Sequence, residues 1–153
     1  MLRPATLKDL TLVVSWIHSP EECELWAGWR VKYPIDMDAL ADAVTFTPDN
    51  SCAWARGDVL IAFGQIIEKS QRRRHLARIT VNPALRRRGH GELFLRAMIE
   101  TVATDLISLN VAEKNAAALS VYRRLGFIDA VRPPDEPSFG GSRYLEYRGS
   151  LPR

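Results

Sequence analysis

The most constraining feature of the sequence is a strand-like segment that leads into a basic, glycine-containing loop and then into an amphipathic helix. The segment HLARITV at residues 75–81 alternates in character and ends at the Asn-Pro pair 82–83, which interrupts a strand. The loop LRRRGHG follows at residues 85–91, and apolar residues recur at helical spacing over residues 91–104. We therefore expect the end of a strand to lie beside the start of a helix.

This loop has the chemistry of an anion site. The start of a helix leaves about four backbone N–H groups unpaired and carries a partial positive charge. Glycines at 89 and 91 let a large anion approach the backbone, and the arginines at 86–88 add forked hydrogen bonds to phosphate. We predict a pyrophosphate site, and a solvated basic loop is the alternative. The patterns GxxxxGK[ST] and GxGxxG are absent from the sequence, which disfavours a P-loop or a dinucleotide fold.

The other elements are indicated by capping residues, periodicity and turn residues. Thr6, Asp36 and Asn115 are candidate helix N-caps, and Gly126 is a candidate C-cap. Predicted helices cover residues 7–27 with a break at Ser19-Pro20, 36–44, 91–104 and 115–125; predicted strands cover 2–6, 51–56, 59–68, 75–81, 106–112, 127–132 and 143–149; a Gly57-Asp58 turn and a charged turn at 69–74 lie between strands. This order predicts one mixed α/β (α+β) domain over residues 1–153.

Composition and charge disfavour several classes of function. Hydrophobic residues make up 46% of the 153 residues, and the net charge is only +3, from 21 basic and 18 acidic residues. The arginine run 72–74 lacks interleaved aromatic residues, so we expect no nucleic-acid partner. Cys23 and Cys52 are isolated, which predicts no metal site. The sequence shows no signal peptide and no membrane-spanning run, so we expect a cytoplasmic protein without membrane contact.

Two motifs resemble those of a known superfamily. Arg86-x-x-Gly89-x-Gly91 resembles the R/Q-x-x-G-x-G/A pattern of the GNAT superfamily, the acetyl-CoA-dependent N-acetyltransferases, and the surrounding ITVNPALRRRGHGELFLRAMI resembles its main cofactor motif. LNVAEKNAAALSVYRRLGF resembles the next block, in which Asn115 precedes Tyr122 by seven residues and Gly-Phe follows. The opening RPATLKDL and the order of elements also match. The resemblance implies a mostly antiparallel sheet of six to seven strands, about four flanking helices, and splayed central strands that form an acetyl-CoA slot.

The resemblance also implies which residues bind acetyl-CoA. The backbone of the strand before the loop would bind the pantetheine arm, and the loop would bind the pyrophosphate, although its three arginine side chains cannot all reach phosphate. Asn115 would contact the cofactor, cap the helix, or both, and Tyr122 would lie near the thioester sulfur or serve as a core aromatic. The implied cofactor-binding residues are Ile79, Thr80, Val81, Arg86, Arg87, Arg88, Gly89, His90, Gly91 and Asn115.

The implied reaction moves an acetyl group from acetyl-CoA to a primary amine of a small-molecule or peptide acceptor by direct attack through a tetrahedral intermediate. The N–H of Val81 would stabilise the oxyanion, and Tyr122 would protonate the departing thiolate. The general base is open: where ribosomal-protein acetyltransferases carry a glutamate, this chain has Asn110, which leaves Glu68, Glu113, His75 or water.

The acceptor is expected between residues 22–36 and 133–144. Trp26, Trp29 and Tyr33 either line a pocket there or pack the helix onto the sheet, and Asp135 and Glu136 either attract an amine or are solvated. Two other classes remain: a non-catalytic acyl-CoA-binding or sensing module on the same fold, and a small RNA-associated protein. The resemblance is compatible with a homodimer, but the sequence does not fix the oligomeric state.

Overall fold

The computed structural model describes residues 1–102, 106–138 and 140–149. Seven strands form one sheet in the order β1-β2-β3-β4-β5-β7-β6, and helices lie along the chain between them. The elements are β1 (Leu2–Pro4), α1 (Leu7–Val14), α2 (Pro20–Ala27), α3 (Met37–Ala43), β2 (Ser51–Arg56), β3 (Val59–Glu68), β4 (Arg73–Val81), a 3₁₀ turn (Pro83–Leu85), α4 (His90–Glu100), β5 (Leu106–Ala112), α5 (Ala116–Leu125), β6 (Phe127–Asp129) and β7 (Ser142–Tyr147).

All neighbouring strands in the sheet are antiparallel except β4 and β5, which run parallel. The predicted mixed, mostly antiparallel sheet is therefore confirmed, and the number of strands is seven. The described residues contain five α-helices, one more than the resemblance implies.

The helix starts are set by short-range hydrogen bonds, as the sequence predicts. Thr6 and Asp9 form a reciprocal capping box: the Thr6 hydroxyl accepts from the Asp9 N–H at 3.2 Å, and the Asp9 carboxylate accepts from the Thr6 N–H at 2.9 Å. Asp36 and Asn115 cap α3 and α5 with their side chains. Gly126 ends α5 in the left-handed region, at a φ of 112°.

Several boundaries differ from the predicted ones. The charged turn ends before Arg73, because Arg73 belongs to β4 and pairs with Leu106. Its side chain is buried and donates to the Ser108 hydroxyl. The helix predicted to residue 104 ends at Glu100, and residues 103 and 104 lie outside the described part. The strand predicted over residues 127–132 stops at Asp129, and this strand, β6, forms one edge of the sheet.

Apolar side chains form two clusters on opposite faces of the sheet. Helices α1 to α3 pack on one face, where the largest fully buried strand residue is Phe63. Helices α4 and α5 pack on the other face, through Phe94, Met98 and Leu125. Neighbouring residues of β3 point to opposite faces, so Ala62 belongs to the second cluster and Phe63 to the first.

The two central strands separate halfway along their length. β4 pairs with β5 only from Arg73 to Leu76, opposite Leu106 to Leu109, and then continues to Val81 with no partner on that side among the described residues. A bulge lies just beyond this point, because Phe63 pairs with Thr80 and Gln65 pairs with Ala77, which leaves Gly64 opposite two residues of β4. The expected slot between splayed strands is therefore present.

Candidate active site

A cavity of about 700 Å³ lies along the open edge of β4. Its walls come from the end of β4, the loop before α4, helix α2 and helix α5. The sequence-predicted cofactor residues that line it are Ile79, Thr80, Val81, Arg86, Arg87, Gly89, His90, Gly91 and Asn115. Arg88, which was predicted with them, does not line it.

The loop before α4 leaves positive charge uncompensated. Gly89 is the N-cap of α4 in the left-handed region, at a φ of 83°, and it has no side chain to accept from the first N–H groups of the helix. Arg86 donates through Nε to the carbonyl of Val81 at 3.0 Å. Within the described ranges no carboxylate lies within 4.0 Å of Arg86, Arg87 or Arg88. An anion fits this surface on charge and on hydrogen-bonding capacity.

The backbone of β4 presents donors to the same cavity. Asn82 donates its N–H to the carbonyl of Ile61 on β3 at 2.8 Å. Since successive N–H groups of an extended strand point to opposite edges, the N–H of Val81 points away from β3 and toward the slot.

A second cavity of about 380 Å³ adjoins the first. It lies between α2, the start of β4, β5 and the loop between β6 and β7. Six residues line both cavities and so mark their junction: Leu25, Trp26, Ile79, Asn115, Ala118 and Tyr122.

Tyr122 lies at this junction and retains its proton at neutral pH. It is 8% exposed, and its ring meets Phe127 edge to face at 5.8 Å between centroids. Burial raises the pKa of Tyr122 to about 12. Asn115, one residue before α5, accepts from the N–H of Ala118 at 3.3 Å, so its capping role is confirmed. Asn115 also lines both cavities.

The three residues predicted as alternative bases occupy different environments. Glu113 does not line either cavity and pairs with Arg143 at 3.3 Å. Glu68 lines the second cavity, but it is exposed and lies 4.0 Å from Arg74. His75 lines the second cavity at 5% exposure. Of the three, only His75 combines burial with access to the cavity.

Hydrogen bonds fix the ring of His75. Arg132 donates to Oδ1 of Asn110 at 2.6 Å, which leaves Nδ2 of Asn110 facing Nε2 of His75 at 3.3 Å. Nε2 therefore accepts, and Nδ1 donates to the Ser108 hydroxyl at 2.8 Å. Burial lowers the pKa of His75 to about 4, and the carboxylate of Glu136 opposes that shift only in part. His75 is neutral at neutral pH.

Glu136 is a site residue that the sequence placed only as an attractor for an amine or as a solvated charge. It is 6% exposed and lines the second cavity, with its Oε2 3.7 Å from Nε2 of His75. It accepts from Arg73 at 3.1 Å and from Asn110 at 3.0 Å. Burial alone would raise the pKa of the Glu136 carboxyl, but His75, Lys69, Arg73 and Asn110 together lower it below its usual value. No spacing in the sequence could indicate this, because Arg73 and Glu136 are 63 residues apart.

The three aromatic residues of the predicted acceptor region differ in their contact with the two cavities. Trp26 is buried, donates through Nε1 to the carbonyl of Arg78 at 3.0 Å and lines both cavities, so it both packs and borders the site. Trp29 is 58% exposed and lines the second cavity, with the guanidinium of Arg30 at 5.0 Å from its ring. Tyr33 lines neither cavity.

The described residues show neither a metal-binding cluster nor a membrane-spanning helix. No group of three or more histidine, cysteine or acidic side chains there is placed to hold a metal ion. In the same ranges, every helix is too short or too polar to cross a bilayer.

The fold and the slot define a class of acyl-group transferases, and the comparison with family models agrees. Residues 14–127, well over half of the chain, match the acetyltransferase (GNAT) family. The chain belongs to the GNAT family of acetyltransferases, as the sequence motifs predict.

Solved structures share the fold over nearly the whole chain. The spermidine N-acetyltransferase of Vibrio cholerae, in complex with CoA and spermine, is 17% identical, with a TM-score of 0.72 over 95% of this chain and 93% of that chain. The ribosomal-protein-S18-alanine N-acetyltransferase of Escherichia coli is 20% identical, with a TM-score of 0.66 over 96% and 92%. A putative acetyltransferase of Salmonella typhimurium, solved with its cofactor acetyl-CoA, is 14% identical, with a TM-score of 0.66 over 100% and 97%. At these identities the likeness shows the fold.

Proposed function

We propose that the protein transfers an acetyl group from acetyl-CoA to the primary amine of a small-molecule or peptide acceptor. The observation that carries this proposal is the junction of two cavities at a buried, protonated tyrosine. One cavity has the donors and positive charge that suit a long anionic cofactor, and the other is lined by a carboxylate and a neutral histidine.

The first cavity fits acetyl-CoA in chemical character. The open edge of β4, with the N–H of Val81, suits the amide groups of a pantetheine arm. The uncapped start of α4 suits a pyrophosphate. Arg86 and Arg87 line this region and supply positive charge. Arg88 is exposed outside the cavity and would contact solvent or a peripheral phosphate.

The residues at the junction have the properties that direct acyl transfer requires. Acetyl-CoA would supply the acetyl group as an activated thioester. The N–H of Val81 would donate to the carbonyl oxygen as it becomes an oxyanion, and the Tyr122 hydroxyl would give its proton to the departing sulfur. The acceptor ammonium must lose one proton before it attacks, and that proton would pass to water beside the Glu136 carboxylate, because the pKa of His75 is about 4 and its Nε2 already accepts from Asn110.

The cofactor half of this proposal is tested by thermal unfolding with acetyl-CoA and with CoA. At about 100 times its dissociation constant a ligand adds roughly 2.7 kcal/mol, which raises the melting temperature by several degrees for a chain of this size. Gly89→Glu places a carboxylate at the start of α4 and is expected to abolish that shift. Gly57→Glu is the matched control, because Gly57 also has a positive φ and open space around it but lies in the turn between β2 and β3.

The result expected is a shift in the wild type and in Gly57→Glu, and none in a folded Gly89→Glu protein. Equal shifts in both variants would place the cofactor elsewhere. Release of free thiol with a panel of amines then separates an enzyme from an acyl-CoA sensor. A protein that binds acetyl-CoA and releases no thiol with any amine would be the non-catalytic module.

A further inference from the structure

The second cavity contains positive charge that no side chain neutralises. Its three lining carboxylates all have cationic partners: Glu24 lies 3.1 Å from Lys114, Glu68 lies 4.0 Å from Arg74, and Glu136 lies 3.1 Å from Arg73. Two lining arginines, Arg30 and Arg78, have no carboxylate within 4.0 Å in the described part of the chain. Lys69 also lines the cavity and lies 3.5 Å from Glu136, so the described lining carries three carboxylates and three cations. Among these cations, Arg30 and Arg78 are the two without a carboxylate partner.

Arg78 is held in place only by neutral groups. Its Nε donates to Oε1 of Gln65, and its Nη2 lies 3.4 Å from the carbonyl of Val44. Nη1 has no hydrogen-bond partner among the described residues. Burial, and then the nearby charge of Arg30, lower the pKa of Arg78 to about 10, so the side chain is still charged at neutral pH. A partly buried cation without a counter-ion is unfavourable, and an anionic ligand would offset that cost.

The backbone at Arg78 is also specialised. Arg78 lies in the bulge of β4 and has a positive φ of 51°, a conformation that is uncommon for a residue with a side chain. A bulge redirects a side chain relative to the regular strand. The next residue, Ile79, lines both cavities. Arg78 is therefore adjacent in β4 to a residue at the junction of the two cavities.

We propose that the acceptor is an amine that also carries an anionic group, carboxylate or phosphoryl, and that this group binds between Arg78 and Arg30 in the second cavity. The inference rests on the proposed function, because it names the class of acceptor for the same site. Forked guanidinium donors suit both kinds of anion. Small amino acids and amino phosphates fit this description, and polyamines do not, because two uncompensated arginines repel a polycation.

The inference is tested with amines that differ in their anionic group. The panel contains amino acids and their carboxamides, phosphoethanolamine and ethanolamine, and spermidine. We expect kcat/KM from thiol release to be at least tenfold higher for an anionic amine than for its neutral partner, and the two series distinguish carboxylate from phosphoryl. Spermidine as the best acceptor, with no preference for anionic amines, would overturn the inference and leave the acetyltransferase proposal intact.

Three variants assign the effect to the arginines. Arg30→Gln and Arg78→Gln are expected to lose the anionic preference by at least tenfold while the thermal shift with acetyl-CoA is unchanged. Arg56→Gln is the control, because Arg56 is exposed at the end of β2 and lines neither cavity. Since Arg78 is partly buried and its loss can impair folding, the exposed Arg30 provides the independent test. If both single variants, Arg30→Gln and Arg78→Gln, fold and keep the preference for anionic amines, the proposed site is contradicted.

A binding measurement avoids dependence on turnover. N-acetylglycine and N-acetylglycinamide, each with CoA, differ only in the carboxylate. We expect N-acetylglycine to raise the melting temperature of the wild type and of Arg56→Gln, but not of Arg30→Gln. If acetyl-CoA gives no shift, the proposed function fails. The anion site alone is refuted if acetyl-CoA gives a normal shift but neither N-acetylglycine nor N-acetylphosphoethanolamine gives one.

Discussion

Among single residues, Tyr122 combines burial at the junction of two cavities with a pKa raised to about 12. We predict that Tyr122→Phe lowers kcat about 100-fold, the order expected for loss of a general acid, because the change removes only the hydroxyl. The phenylalanine keeps the ring contact with Phe127, so acetyl-CoA binding and the melting temperature should change little. Steady-state thiol release measures the effect.

The matched control for this prediction is Tyr147→Phe. Tyr147 contacts the same Phe127 ring, at 5.3 Å between centroids, but lines neither cavity. Its loss of a hydroxyl should leave kcat unchanged. Equal rates for Tyr122→Phe and the wild type would exclude the acid role of Tyr122.

His75 predicts a pH dependence of folding stability. Its pKa falls from 6.5 in the unfolded chain to about 4 in the fold, so below pH 6.5 the unfolded chain binds more protons. This contribution to stability is present above pH 6.5 and is lost as the pH falls toward 4. Its size is about 3 kcal/mol at one pKa unit per 1.4 kcal/mol. Denaturant unfolding of the wild type and His75→Gln between pH 4 and 7 measures it, and parallel curves for the two proteins would contradict it.

At the scale of elements, the bulge of β4 depends on Gly64 of the neighbouring strand. A Cβ at this position would lie 3.0 Å from Phe94, 3.1 Å from Met98 and 3.2 Å from Ile79. We predict that Gly64→Ala costs about 1–3 kcal/mol in unfolding free energy, because an added methyl overpacks the contact between α4 and the sheet.

Gly91→Ala is the comparison for that prediction. A Cβ at Gly91 meets only Val81, at an ordinary 3.5 Å, and alanine is the better helix former in α4. Its stability should be unchanged or slightly higher in urea unfolding. Similar losses for both variants would show that packing at the bulge is not the cause.

The elements could be predicted because their signals are local. Thr6, Asn115 and Gly126 cap their helices through neighbours three or four residues away, and sequence patterns contain that information. Most of the lining of the first cavity was predictable for the same reason, since its strand and loop form one continuous motif. The charges of the second cavity were not, because Glu136 is brought to Arg73 by the fold, and the lack of a carboxylate partner for Arg78 is evident only once every neighbouring charge is placed.

At the scale of the whole molecule, one sheet separates the two apolar clusters and belongs to both. Phe63 and Ala62 are consecutive residues of β3 on opposite faces of the sheet. Unfolding of one cluster therefore disrupts the sheet on which the other cluster packs. We predict one cooperative transition. Tryptophan fluorescence reports on both clusters, through Trp16 and Trp26 in the first and Trp54 beside the second, and far-UV circular dichroism reports on all elements. Two transitions that fail to coincide would contradict this expectation.

The half-paired β4 has a consequence for the newly made chain. A strand with an open edge can pair with strands of other molecules and start aggregation, and proteins discourage this with charged side chains and bulges. During synthesis all of β4 lacks its neighbour β5 until residues 106–112 have emerged, and Ala77–Val81 remain open on that side afterwards. Arg73, Arg74 and the bulge at Arg78 lie along this strand. The charged residues and the bulge that border the slot therefore also discourage pairing with other copies of the chain while this edge is open.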